Sequence, residues 1–186
     1  VTRERELKLA LADTAGLRER LRRVGARPLH EESFEDNVLW DRDGELRASG
    51  RLLRLRRDGQ GTRLTYKGPP VFDRGVKIRE EHETSVADGE SVEAILEALG
   101  YAPTRRYQKY REEWQLGDVV IALDRTPMGE FVEFEGAAAW AAAERCGCDP
   151  ASALDADYLA LWEGHRGRHP EAPKDMVFPA AQEGDG

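Results

Sequence analysis

Short stretches of this 186-residue chain alternate charged residues with apolar ones at a period of two, and this most restricts its fold. In Glu4-Arg5-Glu6-Leu7-Lys8, positions 4, 6 and 8 share one parity. On a β-strand such residues project from one face. The pattern recurs in Arg54/Arg56 against Leu53/Leu55, and in Thr65/Lys67 against Leu64/Tyr66. Lys77/Arg79/Glu81/Glu83 oppose Val76/Ile78, and Lys109/Arg111 continue the parity of Tyr107. Asp124 opposes Ile121 and Leu123 in parity, and Glu133/Glu135 oppose Val132/Phe134. If the apolar parity lies under helices, the charged parity faces inward, so the alternation predicts a barrel with a polar interior.

The strand signals fall at Glu4–Ala10, Phe34–Trp40, Arg51–Arg57, Thr62–Lys67, Val76–Val86, Tyr107–Leu116, Val119–Asp124 and Phe131–Glu135. Helical periodicity marks Thr14–Val24, with Leu17, Leu21 and Val24 on one face, and also Ser91–Leu99, Ala137–Arg145 and Asp155–Gly164. Eight strands are enough to close a barrel around a small ligand. The fold expected is α+β, a closed eight-stranded β-barrel with helices packed outside. Residues 1–179 are expected to form one domain, and 180–186 a loose tail.

A net charge of −8 and a pI near 5.2 argue against nonspecific binding to nucleic acid or membranes. No apolar run approaches a membrane span, and no secretory segment is visible. Val1 reads as a trimmed start. Cys146 and Cys148 read as incidental small residues of a reduced, cytoplasmic protein. His165 and His169 precede Pro170 at a helix end and read as surface residues, while His82 has outward parity.

Burying about seven charges of each sign, as this alternation requires, is costly unless they pair or bind an ion. Arg and Lys, Arg79 included, can clamp phosphate oxygens. Carboxylates supply hard oxygen ligands for Mg²⁺ or Mn²⁺. Both signs in one cavity suit a metal–polyphosphate.

Several of these segments, in the same order, resemble the CYTH domain, the triphosphate tunnel metalloenzymes. Its E-x-E-x-K signature matches Glu4-Arg5-Glu6-Leu7-Lys8. Leu53-Arg54-Leu55-Arg56, Leu64-Thr65-Tyr66-Lys67-Gly68-Pro69 and Arg79-Glu80-Glu81-His82-Glu83 follow. Then come Lys109-Tyr110-Arg111, Leu123-Asp124 and Gly129 to Glu135, so the likeness spans Arg3 to Glu135. The resemblance implies an antiparallel eight-stranded tunnel, a triphosphate substrate and a divalent metal. By position it implies that Arg54, Arg56, Lys67, Lys109 and Arg111 hold phosphates. Glu4, Glu6, Asp124, Glu133 and Glu135 would hold metal, and Glu81 or Glu83 would be the fifth-strand acid. Lys8 would stand near the attacking water, help to activate it and contact the substrate. The family's C-terminal lysine has no clear match, Lys174 included.

The function expected is metal-dependent hydrolysis of inorganic triphosphate, thiamine triphosphate or a nucleoside triphosphate. The alternatives are a class IV adenylate cyclase and a polyphosphate-binding module without catalysis. Cyclase members carry a His-Phe pair before E-x-E-x-K, where this chain has Val1-Thr2-Arg3, which favours hydrolysis. The oligomeric state is open, a homodimer included.

Overall fold

The computed structural model describes residues 2–179, with side chains from residue 4 onward; the tail expected at 180–186 lies outside the described residues. Along the chain run β1 (Thr2–Leu11), α1 (Thr14–Arg23), β2 (Arg27–Asp41), α2 (Glu45–Ala48), β3 (Leu52–Asp58) and β4 (Gly61–Lys67). β5 (Val71–Asp73), β6 (Val76–Val86), α3 (Gly89–Ala98), β7 (Ala102–Leu116), β8 (Val119–Thr126) and β9 (Gly129–Glu135) follow. α4 (Ala139–Arg145), a 3-10 turn at Pro150–Ser152 and α5 (Tyr158–Arg168) end the described elements.

The sheet order is β1-β9-β8-β7-β2-β3-β4-β6, and β6 returns to pair with β1. Every pairing is antiparallel, so eight strands close into a barrel and β5 adds a short piece beside β6. Closure sets Glu4 opposite Arg79, Glu6 opposite Lys77 and Glu135, and Lys8 opposite Glu133.

The apolar parity faces outward, as the alternation requires. Leu7, Leu9, Ile121, Leu123, Val132 and Phe134 form one buried layer with Leu17 and Leu21 of α1 and Ala139, Ala142 and Ala143 of α4. On another side, Leu96 of α3 meets Trp40 and Leu55. The Asp13 carboxylate caps α1 by accepting from the Gly16 N–H, and Gly25 leaves the helix at φ +82. Leu21 is fully buried, so Leu21→Ala should cost about 2–5 kcal/mol, read as a lower urea midpoint at an unchanged slope.

Two strands run longer than their alternation indicates. β2 begins at Arg27 and β7 at Ala102, because each flank gains its partner from the other strand. The Arg27–Ser33 flank is mostly exposed and carries no apolar face. Register shifts at Pro28/His30 and His30/Ser33 break its regularity further. β5 was not expected after Pro69-Pro70; it is turned back by Arg74 and Gly75, both at positive φ. The four-residue α2 was also unforeseen; it hangs on the Asp41 carboxylate, which accepts from the Leu46 and Arg47 N–H groups. Asp157 caps α5 and moves its start to Tyr158. Among the described residues, no helix is long and apolar enough to cross a membrane.

Candidate active site: a charged tunnel

The inward parity encloses a cavity of about 230 Å³ lined by nine basic and eight acidic side chains. β1 contributes Glu4, Glu6 and Lys8; β3 contributes Arg54 and Arg56; β4 contributes Arg63 and Lys67. β6 adds Lys77, Arg79, Glu81 and Glu83, β7 adds Lys109, Arg111 and Glu113, and β9 adds Glu133 and Glu135. Asp157 and Tyr158 enter from α5. Arg63, Glu83 and Glu113 are part-exposed, whereas Lys109 lies deep and almost fully buried. Tyr107, Phe131 and Leu39 join Tyr158, Leu159 and Trp162 in an apolar cluster, so α5 lies across one end of the barrel.

One wall is a lattice of lysines and glutamates. Lys67 Nζ lies 2.7 Å from Glu4 Oε1 and 3.0 Å from Glu81 Oε2. Lys8 Nζ lies 3.3 Å from Glu6 Oε1 and 3.2 Å from Glu133 Oε1, and Lys77 Nζ lies 3.1 Å from Glu6 Oε2. Burial opposes the Lys8 charge, yet Glu6 and Glu133 outweigh it and hold the ammonium pKa above that of an ordinary lysine. Burial likewise opposes the Glu133 charge, but Lys8, Arg111 and Lys109 hold its carboxyl well below the usual range.

The other wall carries the arginines. Arg111 donates from Nε to Asp124 Oδ1 at 2.7 Å and from Nη2 to Oδ2 at 2.6 Å, and also pairs with Glu133. Asp124 further accepts from Lys109 Nζ at 2.9 Å and from the Tyr158 hydroxyl at 2.6 Å. Both its oxygens are therefore engaged, and Asp124 stands behind the cavity wall rather than on it. Arg56 meets Glu35 at 3.2 Å and donates from Nε to Asn37 Oδ1 at 3.1 Å. Arg54 donates to the Tyr107 hydroxyl and to Thr65 Oγ1.

The structure separates two acids that the sequence left together. Glu81 joins Lys67 in the lysine–glutamate wall, whereas Glu83 accepts from Thr65 and lies beside Arg54 and Arg63. Arg79 lines the cavity, but its Nε donates to the Gly68 carbonyl at 2.9 Å and its Nη2 to the Gly50 carbonyl at 3.3 Å, so it also braces two loops.

Glu35 and Asn37 also belong to the site, and their parity with Leu39 on β2 carries the same signal in the sequence. Glu35 is almost fully buried; desolvation opposes its charge, but Lys109, Arg111, Arg56 and Arg54 keep it ionised. Arg63 and Glu113 share the parity of the charged rows and line the cavity with them. Tyr158 had no such signal, because it opens a helix. Lys174 is exposed, and its carbonyl accepts from Arg105. His82 points outward beside Glu80, and His165 and His169 stack by Trp162.

Glu135 stands at the exposed edge of the carboxylate group. Desolvation, with like charge from Glu4 and Glu81, raises its pKa to about 7 against the opposing pull of Lys67 and Arg111. A carboxyl raised in the fold binds its proton there more tightly than in the unfolded chain. Its contribution to stability is therefore present in acid and lost as pH rises through about 7. With chelator present, wild-type melting should fall relative to Glu135→Gln between pH 5 and 8. Parallel melting profiles of the two proteins would contradict this.

The CYTH domain family model matches residues 2–143, three quarters of the chain. The chain belongs to the CYTH domain family. A Methanocaldococcus jannaschii protein named "putative adenylate cyclase" is 29% identical over 133 residues, which cover 71% of this chain and 75% of that protein. A Vibrio parahaemolyticus protein described in the same words superposes with TM-score 0.76 at 21% identity, covering 86% of this chain and 97% of that one. A Hippeastrum protein, described as a "putative adenylyl cyclase" with a dominant triphosphatase activity, superposes with TM-score 0.65 at 16% identity. It covers 87% of this chain and 96% of its own. At these identities the two superpositions show the shared CYTH fold.

Proposed function

We propose that this CYTH protein hydrolyses a triphosphate inside the tunnel with the help of a divalent cation. The observation that carries the reading is the division of one barrel cavity into a wall of arginines and a wall of glutamates interleaved with lysines. Arg54, Arg56, Lys109 and Arg111 present donors to phosphate oxygens, and the arginines can do so with two N–H groups at once. Glu35 and Asp124 behind them fix those donors before substrate arrives, which is how positioned charge lowers a phosphoryl-transfer barrier.

Glu4, Glu6, Glu81, Glu133 and Glu135 form an all-oxygen donor set suited to Mg²⁺ or Mn²⁺. Glu135, raised by desolvation and by like charge from Glu4 and Glu81, is the member of this set whose charge a bound cation would favour most. Among the described residues these side chains are not gathered into a finished metal cluster; Lys8, Lys67 and Lys77 hold them apart in ion pairs. A cation bound there would offset the charge on phosphate oxygens. Asp124, whose oxygens are taken by Arg111, Lys109 and Tyr158, serves the arginine wall instead.

Lys8 acts as a donor in this scheme. Held protonated by Glu6 and Glu133, it can orient water or a phosphate oxygen but has no lone pair with which to take a proton. The cyclase reading draws on the archaeal relative's name. Hydrolysis needs only the polyphosphate held between the two walls. Cyclisation needs the ribose hydroxyl aligned inside as well.

The test is a panel of inorganic triphosphate, thiamine triphosphate and nucleoside triphosphates with Mg²⁺ or Mn²⁺, with orthophosphate and cyclic AMP followed separately. Orthophosphate release from inorganic triphosphate should be at least as fast as from ATP. Cyclic AMP as the main product of ATP, with inorganic triphosphate inert, would establish the cyclase. Full activity in excess chelator would remove the metal from the scheme.

A further inference from the structure

Tyr158 lies outside the segment matched by the family model and still lines the tunnel. It is the first residue of α5, only 6% exposed, and meets Phe131 edge-on at 5.3 Å between centroids. Lys8 Nζ sits 4.1 Å from its ring centroid and Lys109 Nζ 5.2 Å away. Its hydroxyl donates to Asp124 Oδ2 at 2.6 Å, the oxygen that also accepts from Lys109 and Arg111.

The segment before α5 fixes this ring against β1. The Leu154 N–H donates to the Lys8 carbonyl at 2.8 Å, and Lys8 Nζ donates to the Ala156 carbonyl at 3.5 Å. The Lys8 ammonium is thus held by Glu6, Glu133, a backbone carbonyl and an aromatic face. A desolvated cation over a ring face is held more strongly than one in water.

We propose that Tyr158 is a positioning residue for triphosphate turnover, its ring fixing the Lys8 ammonium and its hydroxyl fixing Asp124 beneath Lys109 and Arg111. This rests on the hydrolase reading above. Tyr158 and its cluster would also fill space in any version of the fold, so the two parts of the side chain must be tested apart. Tyr158→Phe keeps the ring and loses the hydroxyl. Tyr158→Leu keeps apolar bulk and loses the ring.

Both variants are compared with wild type in inorganic triphosphate turnover with Mg²⁺, in melting temperature, and by NMR of ¹⁵N-labelled lysine side chains. Tyr158→Phe should keep kcat within about threefold and raise KM, because Asp124 loses one of its donors while Lys8 stays over the ring. Tyr158→Leu loses the hydroxyl as well as the ring, so it should raise KM as Tyr158→Phe does and in addition lower kcat at least about tenfold. The Lys8 ammonium signal should lie upfield in wild type and Tyr158→Phe, and move downfield in Tyr158→Leu as the ring current is lost.

Wild-type kcat in Tyr158→Leu, equal kcat losses in both variants, or an unmoved Lys8 signal would each overturn the proposal. Should the leucine variant fail to fold, a tenfold kcat loss in Tyr158→Phe overturns it and retained kcat with raised KM supports it. If wild type turns over no triphosphate, the hydrolase reading and the positioning role in turnover fail together. The Lys8 signal then decides the contact on its own.

Discussion

Glu133→Gln is expected to lower inorganic triphosphate turnover by about 10²–10³, the usual loss when one preorganised group at a reacting centre is removed. The carboxylate joins the two walls. It lies 3.2 Å from Lys8 Nζ and pairs with Arg111, and it is held ionised by both together with Lys109. Gln keeps the shape and loses the charge. Lys8 would then rely on Glu6, Arg111 would rely on Asp124, and the proposed metal wall would lose one ligand. The chain should remain folded, because those remaining partners keep each buried cation paired. Circular dichroism and a melting curve measured beside the kinetics separate the two effects. Glu133→Asp, which restores the charge at a shorter reach, should recover part of the rate. Turnover within threefold of wild type in a folded Glu133→Gln protein would remove Glu133 from the site.

The tunnel's charges were legible because a closed barrel turns strand parity into an inside and an outside. Glu4, Glu6, Lys8, Arg54, Arg56, Lys67, Lys109, Arg111, Glu133 and Glu135 all line the cavity from the parity that predicts it. Closure itself rests on β6 returning to β1, a pairing of residues far apart in sequence that no local pattern encodes. Parity also says which way a side chain points and nothing about what it meets. Asp124 has the inward parity expected of it but ends behind the wall, because Arg111 and Lys109 are near enough to engage its oxygens. Arg79 likewise points inward and then turns to two loop carbonyls. Glu35 could have been read, since Glu35, Asn37 and Leu39 alternate with Phe34, Asp36 and Val38. The mixed polarity of the outward set hid it. Tyr158 was illegible for a different reason: a residue from a helix enters the barrel through its end, and strand periodicity does not describe that route.

Arg56→Ala should lower kcat/KM for a triphosphate by the equivalent of roughly 2–5 kcal/mol, the range for truncating one partner of a buried charge pair. Arg56 is the better probe of the arginine wall because its ties differ from those of Arg111. Arg111 is bound through a two-point fork to Asp124 and also to Glu133, so its removal would strand buried carboxylates and confuse binding with folding. Arg56 meets Glu35 through Nη1 and Asn37 through Nε, and it borders the cavity. Truncation leaves Glu35 with Lys109 at 3.6 Å and Arg111 at 4.0 Å, so that carboxylate keeps cationic neighbours. The loss should therefore fall mainly on substrate. Arg56→Lys separates charge from geometry. A lysine restores the positive charge but lacks the planar fork that addresses two phosphate oxygens while keeping Asn37, and it should recover only part of the loss. The order wild type, lysine, alanine should hold for inorganic triphosphate and for ATP alike, since both bring the same phosphates to this wall. Equal kinetics in all three proteins would place Arg56 outside the binding path and leave its pairing with Glu35 as a matter of stability alone.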